Sequence, residues 1–229
     1  MPKNLSKIGR KCKCDRLGVS RPARETGQLR LDALDELHYK GIILMAASSS
    51  WEIEVDRFGK RELAVVRHQL VEAETLLSRF YCIPGREWPA YAYDVETLSD
   101  LTQSEAIEGI LALVAKYEYR PPRSSGGEER LEFYRICLQD HNILAASGHG
   151  PGGISFEALL LYILTHELVH VFRFASQPQR YFADSASRVV EERSVHRITS
   201  DILRMKKDRR LVPVLRAYQE YPFVSEQEM

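Results

Sequence analysis

FEALLLYILTHELVHVFRF, residues 156–174, is the stretch on which the reading of this chain turns. Ahead of Arg173, its only charged or imidazole-bearing side chains are Glu157, His166, Glu167 and His170. The rest are nearly all large and apolar, which predicts a central helix, with Ser155 placed to cap it and Glu157 suited to its first turn. At about 3.6 residues per turn, His166 and His170 fall one turn apart on one face, where two imidazole nitrogens can converge on a single cation. Glu167 lies about 100° further round, so it does not share that cation but can reach a water bound to it. This is the arrangement of metal-assisted hydrolysis. Zinc polarises a carbonyl and lowers the pKa of its water to about 7, while the glutamate takes and returns a proton. The plainer reading is two core histidines satisfied by backbone carbonyls and a surface glutamate. Against it, burying these three groups without partners costs several kcal/mol, roughly, and a metal is a ready partner.

A catalytic zinc takes three protein ligands and keeps a fourth position open. Residues 188–205 carry a second helical pattern, with Val189 and Leu203 to one side and Val195, Ile198 and Ile202 to the other. Glu192 falls between these flanks and is the predicted third ligand. His196 stacks four residues later on the same face, as a group supporting the ligands from outside or as the ligand itself. Glu191 lies near the edge of the Val195 flank.

Together these residues resemble the zincin metallopeptidases of the gluzincin type, in which HExxH on one helix is followed by a glutamate on a second. His166, Glu167 and His170 match the first element, and Glu192, with 21 residues intervening after His170, matches the second. The resemblance implies that His166, His170 and Glu192 hold zinc, that Glu167 is the general base, and that the fold is α+β. In that fold a small mixed sheet packs on the active-site helix and a glutamate-bearing helix follows downstream. An extended peptide substrate would then lie along an edge strand. The metzincin continuation HExxHxxGxxH is absent, because Arg173 and Ser176 occupy its glycine and last histidine positions. The group's polar residue four places after the glutamate is often Asp or Asn, whereas this chain has His196. Asp184 is an alternative ligand in an aspartate-type variant. Tyr181, His149 and Arg188 are the nearest donors in sequence for an oxyanion, each with an ordinary structural or surface role as the alternative.

Working outward, Gly148–Gly153 satisfies GxGxxG. The acidic residue that a dinucleotide site wants about 20 positions on is missing, and Ile154 stands where a P-loop needs lysine, so the glycines read as a strand-to-helix connection. Residues 132–147 are predicted as two short strands around a turn at Asp140, His141 and Asn142, and this pair is the expected peptide-binding edge. Apolar spacing predicts amphipathic helices over 61–80 and over 102–116, the second capped by Thr102. His38 and His68 have no companion at metal-ligating spacing, and the Lys206–Arg210 cluster suits a solvated helix end.

The chain has 229 residues, 44% of them hydrophobic, with 32 basic residues balanced by 32 acidic. That excludes wholesale disorder and any strong overall field toward nucleic acid or anionic membrane. The balance hides an asymmetry: residues 1–30 hold nine Lys or Arg against Asp15 and Glu25. They read as a flexible basic arm, followed by a single zincin-like metallopeptidase domain over 31–229. Cys12, Cys14, Cys82 and Cys137 are too few and scattered for a disulfide framework, Cys12 and Cys14 lack a second ligand pair, and free thiols fit a cytoplasmic location. No membrane helix and no secretory leader are expected. The function that follows is a zinc-dependent peptidase or peptidase-like hydrolase acting on peptides or proteins. The alternatives are a catalytically inactive zincin-fold protein that binds peptides or regulates a partner, and a nucleic-acid-associated protein docked through residues 1–30.

Overall fold

The computed structural model describes residues 30–31, 56–83, 92–119, 131–148, 153–177, 180–181 and 184–219. The predicted arm up to residue 29, Cys12, Cys14, His38, His149 and most of the glycine-rich connection lie outside them. The protein is α+β, with strands β1 (Arg30–Leu31), β2 (Ala92–Glu96), β3 (Ala112–Tyr119) and β4 (Leu131–Leu138). The helices are α1 (Lys60–Phe80), α2 (Asp140–Ala146), α3 (Phe156–Ser176), α4 (Ser185–Arg204) and α5 (Val212–Gln219). Described residues up to Phe58 and within Glu87–Asn142 belong to one unit, and those within Gly59–Arg86 and from Ile143 onward to another.

The first unit is a mixed sheet in the order β1-β3-β4-β2, antiparallel except where β2 runs parallel to β4. Residues 112–116 form a strand, not the predicted end of a helix. Leu111 to Tyr117 are buried without interruption, Lys116 included, so both faces are covered, and the apolar run from Leu111 to Ala115 suits a strand enclosed on both sides. Thr102 does begin a turn: Glu105 and Ala106 donate their amides to its carbonyl, and its own N–H and hydroxyl bond the Glu105 carboxylate. The turn goes no further, and Gly109, at φ +78°, adopts the left-handed backbone that opens into β3.

The predicted hairpin over 132–147 is also corrected. Its first half is β4, but residues 140–146 are α2, because the polar side chains at the junction serve distant backbone. Asp140 accepts the amides of Phe58 (2.8 Å) and Leu98 (3.1 Å), and the Asn142 amide donates to the carbonyl of Ile110 at 2.6 Å. With β4 between β3 and β2, the expected peptide-binding edge is not an edge.

The second unit is helical. α1 buries Val66, Gln69, Leu70, Ala73, Leu76 and Leu77, a stripe at helical spacing that packs along α3. α3 is buried from Ala158 to Val171 on every face, capped by the Ser155 hydroxyl, which accepts the Ala158 amide. Its length and composition would allow it to cross a membrane, yet 89% of its most apolar window is buried within the protein, as in a core helix. α4 lies on α3 through Val195, His196, Thr199, Ile202 and Leu203, all buried. α5 adds Val214 and Tyr218, whose ring stacks on Tyr162 at 5.0 Å.

Candidate metal centre

Tyr162, His166 and His170 repeat every fourth residue along α3, and Glu192 and His196 do so along α4. Each set therefore forms one column of side chains. Where the columns face each other, His166 Nε2 lies 2.9 Å from Glu192 Oε1 and His170 Nε2 lies 3.2 Å from Glu192 Oε2. The two Nε2 atoms are 3.1 Å apart. Four atoms thus crowd a common point, and a tetrahedral ion with bonds of about 2.0–2.1 Å would set its ligand atoms roughly 3.3 Å from one another. Two imidazole lone pairs at this separation repel unless a proton or a metal ion lies between them, and a cation shared by all four atoms would satisfy both rings and the carboxylate. The predicted ligands His166, His170 and Glu192 are all brought together.

The structure also turns His196 inward. Its Nε2 is 3.5 Å from Glu192 Oε1, so among the described residues His166, Glu192 and His196 form a second trio of donors that could hold a metal. His166 and Glu192 are common to both sets. Behind His196, its Nδ1 is 2.7 Å from the Tyr162 hydroxyl. Tyr162 is a functional candidate that the sequence reading missed, although its place one turn before His166 was a visible signal.

Glu167 is fully buried, and neither of its carboxylate oxygens has a hydrogen-bond partner among the described residues. Burial pushes its carboxyl well above the usual carboxylate range, and the charge on Glu192 adds to the shift. For Glu192, burial acts upward too, but His170 and His166 outweigh it and hold its carboxyl well below the ordinary value. Burial, with His166 beside it, lowers the His196 imidazole to about 3. Burial keeps the Tyr162 phenol protonated far above its usual range.

The remaining candidates are not equally placed. Asp184 is spent as the N-cap of α4, where its carboxylate accepts the Ser187 amide at 2.7 Å in full exposure, so the aspartate-ligand alternative is set aside. Tyr181 packs edge-on against Phe174, which itself stacks on His170. Arg188 lies in the first turn of α4, and His149 is outside the described residues. Glu191, next to the predicted ligand, is bound in a fork by Arg173 at 2.7 and 2.8 Å and by Arg180 at 2.6 Å. This clamp ties α4 to α3 one residue before Glu192. Comparisons with models of known families, with curated proteins and with solved structures find no match for this chain.

Proposed function

We propose that the protein is a cytoplasmic, zinc-dependent peptidase or peptidase-like hydrolase of the zincin-like, gluzincin type. Its metal is held by His166, His170 and Glu192. The observation that carries this reading is the meeting of those three side chains beside a fully buried carboxylate, Glu167, that has no protein partner among the described residues. Zinc, when bound, supplies a Lewis acid that polarises a carbonyl and lowers the pKa of water. The chain contributes a dry setting and a proton carrier. Glu167, raised by its burial, is tuned to take a proton on its carboxylate and return it to a leaving amine. The free thiols Cys82 and Cys137 suit a reducing compartment.

A second reading is favoured by one feature, the approach of His196 Nε2 to Glu192. If that nitrogen also bound the metal, four protein donors would close the site, as in structural zinc centres. The protein would then be a non-catalytic, peptide-binding or regulatory relative. One experiment separates the two. Purified protein is expected to carry about one zinc per chain, and Glu167→Gln to keep the metal while losing hydrolysis of a mixed peptide library. Peptidase activity retained in Glu167→Gln would remove the mechanism. Zinc without turnover in the wild type would select the second reading.

A further inference from the structure

The hydrogen on the Tyr162 hydroxyl decides what His196 can be. Among the described residues that hydroxyl has one hydrogen-bond partner, the Nδ1 of His196 at 2.7 Å, and the tyrosine is wholly buried between α3, α4 and α5. A neutral imidazole carries one proton, so the bond has two forms. If Nδ1 donates, the phenol must place its own hydrogen where no acceptor is found among the described residues, at the cost of an unmade buried hydrogen bond. If the phenol donates, both groups are satisfied and the imidazole proton is forced onto Nε2. A protonated Nε2 has no lone pair for a metal. It is a donor, and Glu192 Oε1 lies 3.5 Å from it, farther than the 2.9 Å between that oxygen and His166.

We propose that His196 is not a fourth ligand, and that Tyr162 holds it in the Nε2–H form as a neutral hydrogen-bond donor facing the metal centre. The inference rests on the zinc hydrolase reading and deepens it. With zinc held by His166, His170 and Glu192, no protein donor would fill a fourth position, and the N–H would be available to an oxygen of the substrate that gathers negative charge, a stabilisation that would need no reorganisation. Tyr162 is a positioning residue that acts through His196. His196 supplies the donor role for which Tyr181, Arg188 and His149 were the sequence candidates. The i, i+4 placement of His196 after Glu192 also lets the N–H steady the ligand carboxylate between turnovers.

The test is a long-range imidazole nitrogen–proton correlation spectrum of the full-length, zinc-loaded protein, which distinguishes protonated from bare ring nitrogens. His196 is expected with Nε2 protonated and Nδ1 bare, and with mixed forms in Tyr162→Phe. A bare Nε2 on His196 in the zinc-loaded wild type would overturn the inference and leave the metal site standing. Zinc titrations provide the independent arm. His196→Gln should bind one zinc with affinity reduced by no more than the roughly 10–100-fold typical of a group behind the ligands. Glu192→Ala should lose stoichiometric zinc. For peptide hydrolysis, His196→Gln should lower kcat by about 10²-fold with KM little changed. Loss of zinc from His196→Gln as complete as from Glu192→Ala would also overturn the proposal. A wild-type chain that binds no zinc would instead bring down the hydrolase reading on which it stands.

Discussion

Glu167 is a side chain that is costly to the fold and on which the proposed chemistry depends. It sits at 0% exposure in the most apolar helix of the protein, and its carboxyl oxygens have no hydrogen bond among the described residues. A buried polar group without a partner costs about 1–3 kcal/mol in proteins. Glu167→Met keeps the length and helix propensity of the side chain and removes the polar atoms. It is therefore expected to raise the stability of zinc-free protein by about that amount, read as a higher urea midpoint with unchanged slope. A lower midpoint would mean that the carboxyl is already satisfied in the folded state. The HELVH spacing made His166, His170 and Glu167 legible, because helical geometry maps sequence offset directly onto a face. Tyr162 was legible by the same rule and was passed over because an aromatic residue on an apolar helix is ordinarily core. Its hydroxyl acquires meaning only when α4 brings His196 Nδ1 within 2.7 Å.

Between elements, the aim of Glu192 is expected to depend on its neighbour. Glu191 is 5% exposed and accepts a two-pronged bond from Arg173 on α3 together with a third from Arg180. Burial alone would push its carboxyl up, but the bonds from Arg173 and Arg180 hold it below the ordinary range. Glu191→Ala removes the carboxylate that both guanidinium groups share, while Arg180 keeps its bond to Gln177, and is expected to cost about 1–3 kcal/mol, allowing for the partial exposure of both arginines. If the clamp fixes the rotation of α4 against α3, zinc affinity should fall with it, although the Glu191 side chain is not itself one of the proposed ligands. Urea unfolding beside zinc titration checks this, and a stability loss without any change in zinc affinity would show that the clamp does not aim the ligand. The three long helices could be read in advance because each carries a stripe or run of apolar residues at a period of about 3.6. Residues 112–116 and 140–146 could not. Leu111 to Ala115 is an unbroken apolar run that fits a buried strand or a buried helix equally, and pairing with β4 decides between them. Asp140 and Asn142 look like turn formers until the backbone they bind, at Phe58, Leu98 and Ile110, is in place.

At the scale of the molecule, two buried carboxylates among the described residues pull acid stability in opposite directions. Asp140 is raised by burial, which outweighs the amides of Phe58 and Leu98, so it favours folding at lower pH and gives up stability as pH rises. Glu105 behaves oppositely. Burial pushes its carboxyl up, but the Tyr117 hydroxyl, the Thr102 amide and hydroxyl, and Arg135 at 3.1 Å together bring it below its ordinary value of 4.5. A carboxyl lowered on folding binds fewer protons folded than unfolded. Its contribution is fully present above about pH 4.5 and is lost as pH falls through the lower folded value. Glu105 also joins the 102–110 connection to the sheet, since Gln139 donates to its carbonyl at 2.8 Å and accepts the Ile107 amide at 3.0 Å. Acid should therefore loosen this connection before it reaches the apolar interior of β3. Glu105→Gln is expected to cost about 2–3 kcal/mol at pH 7, as charged hydrogen bonds become neutral ones, and to flatten the fall in stability below pH 4.5. Urea midpoints of wild type and Glu105→Gln should then converge as pH is lowered toward 3. Curves that stay parallel across that range would place the acid-sensitive group elsewhere in the protein.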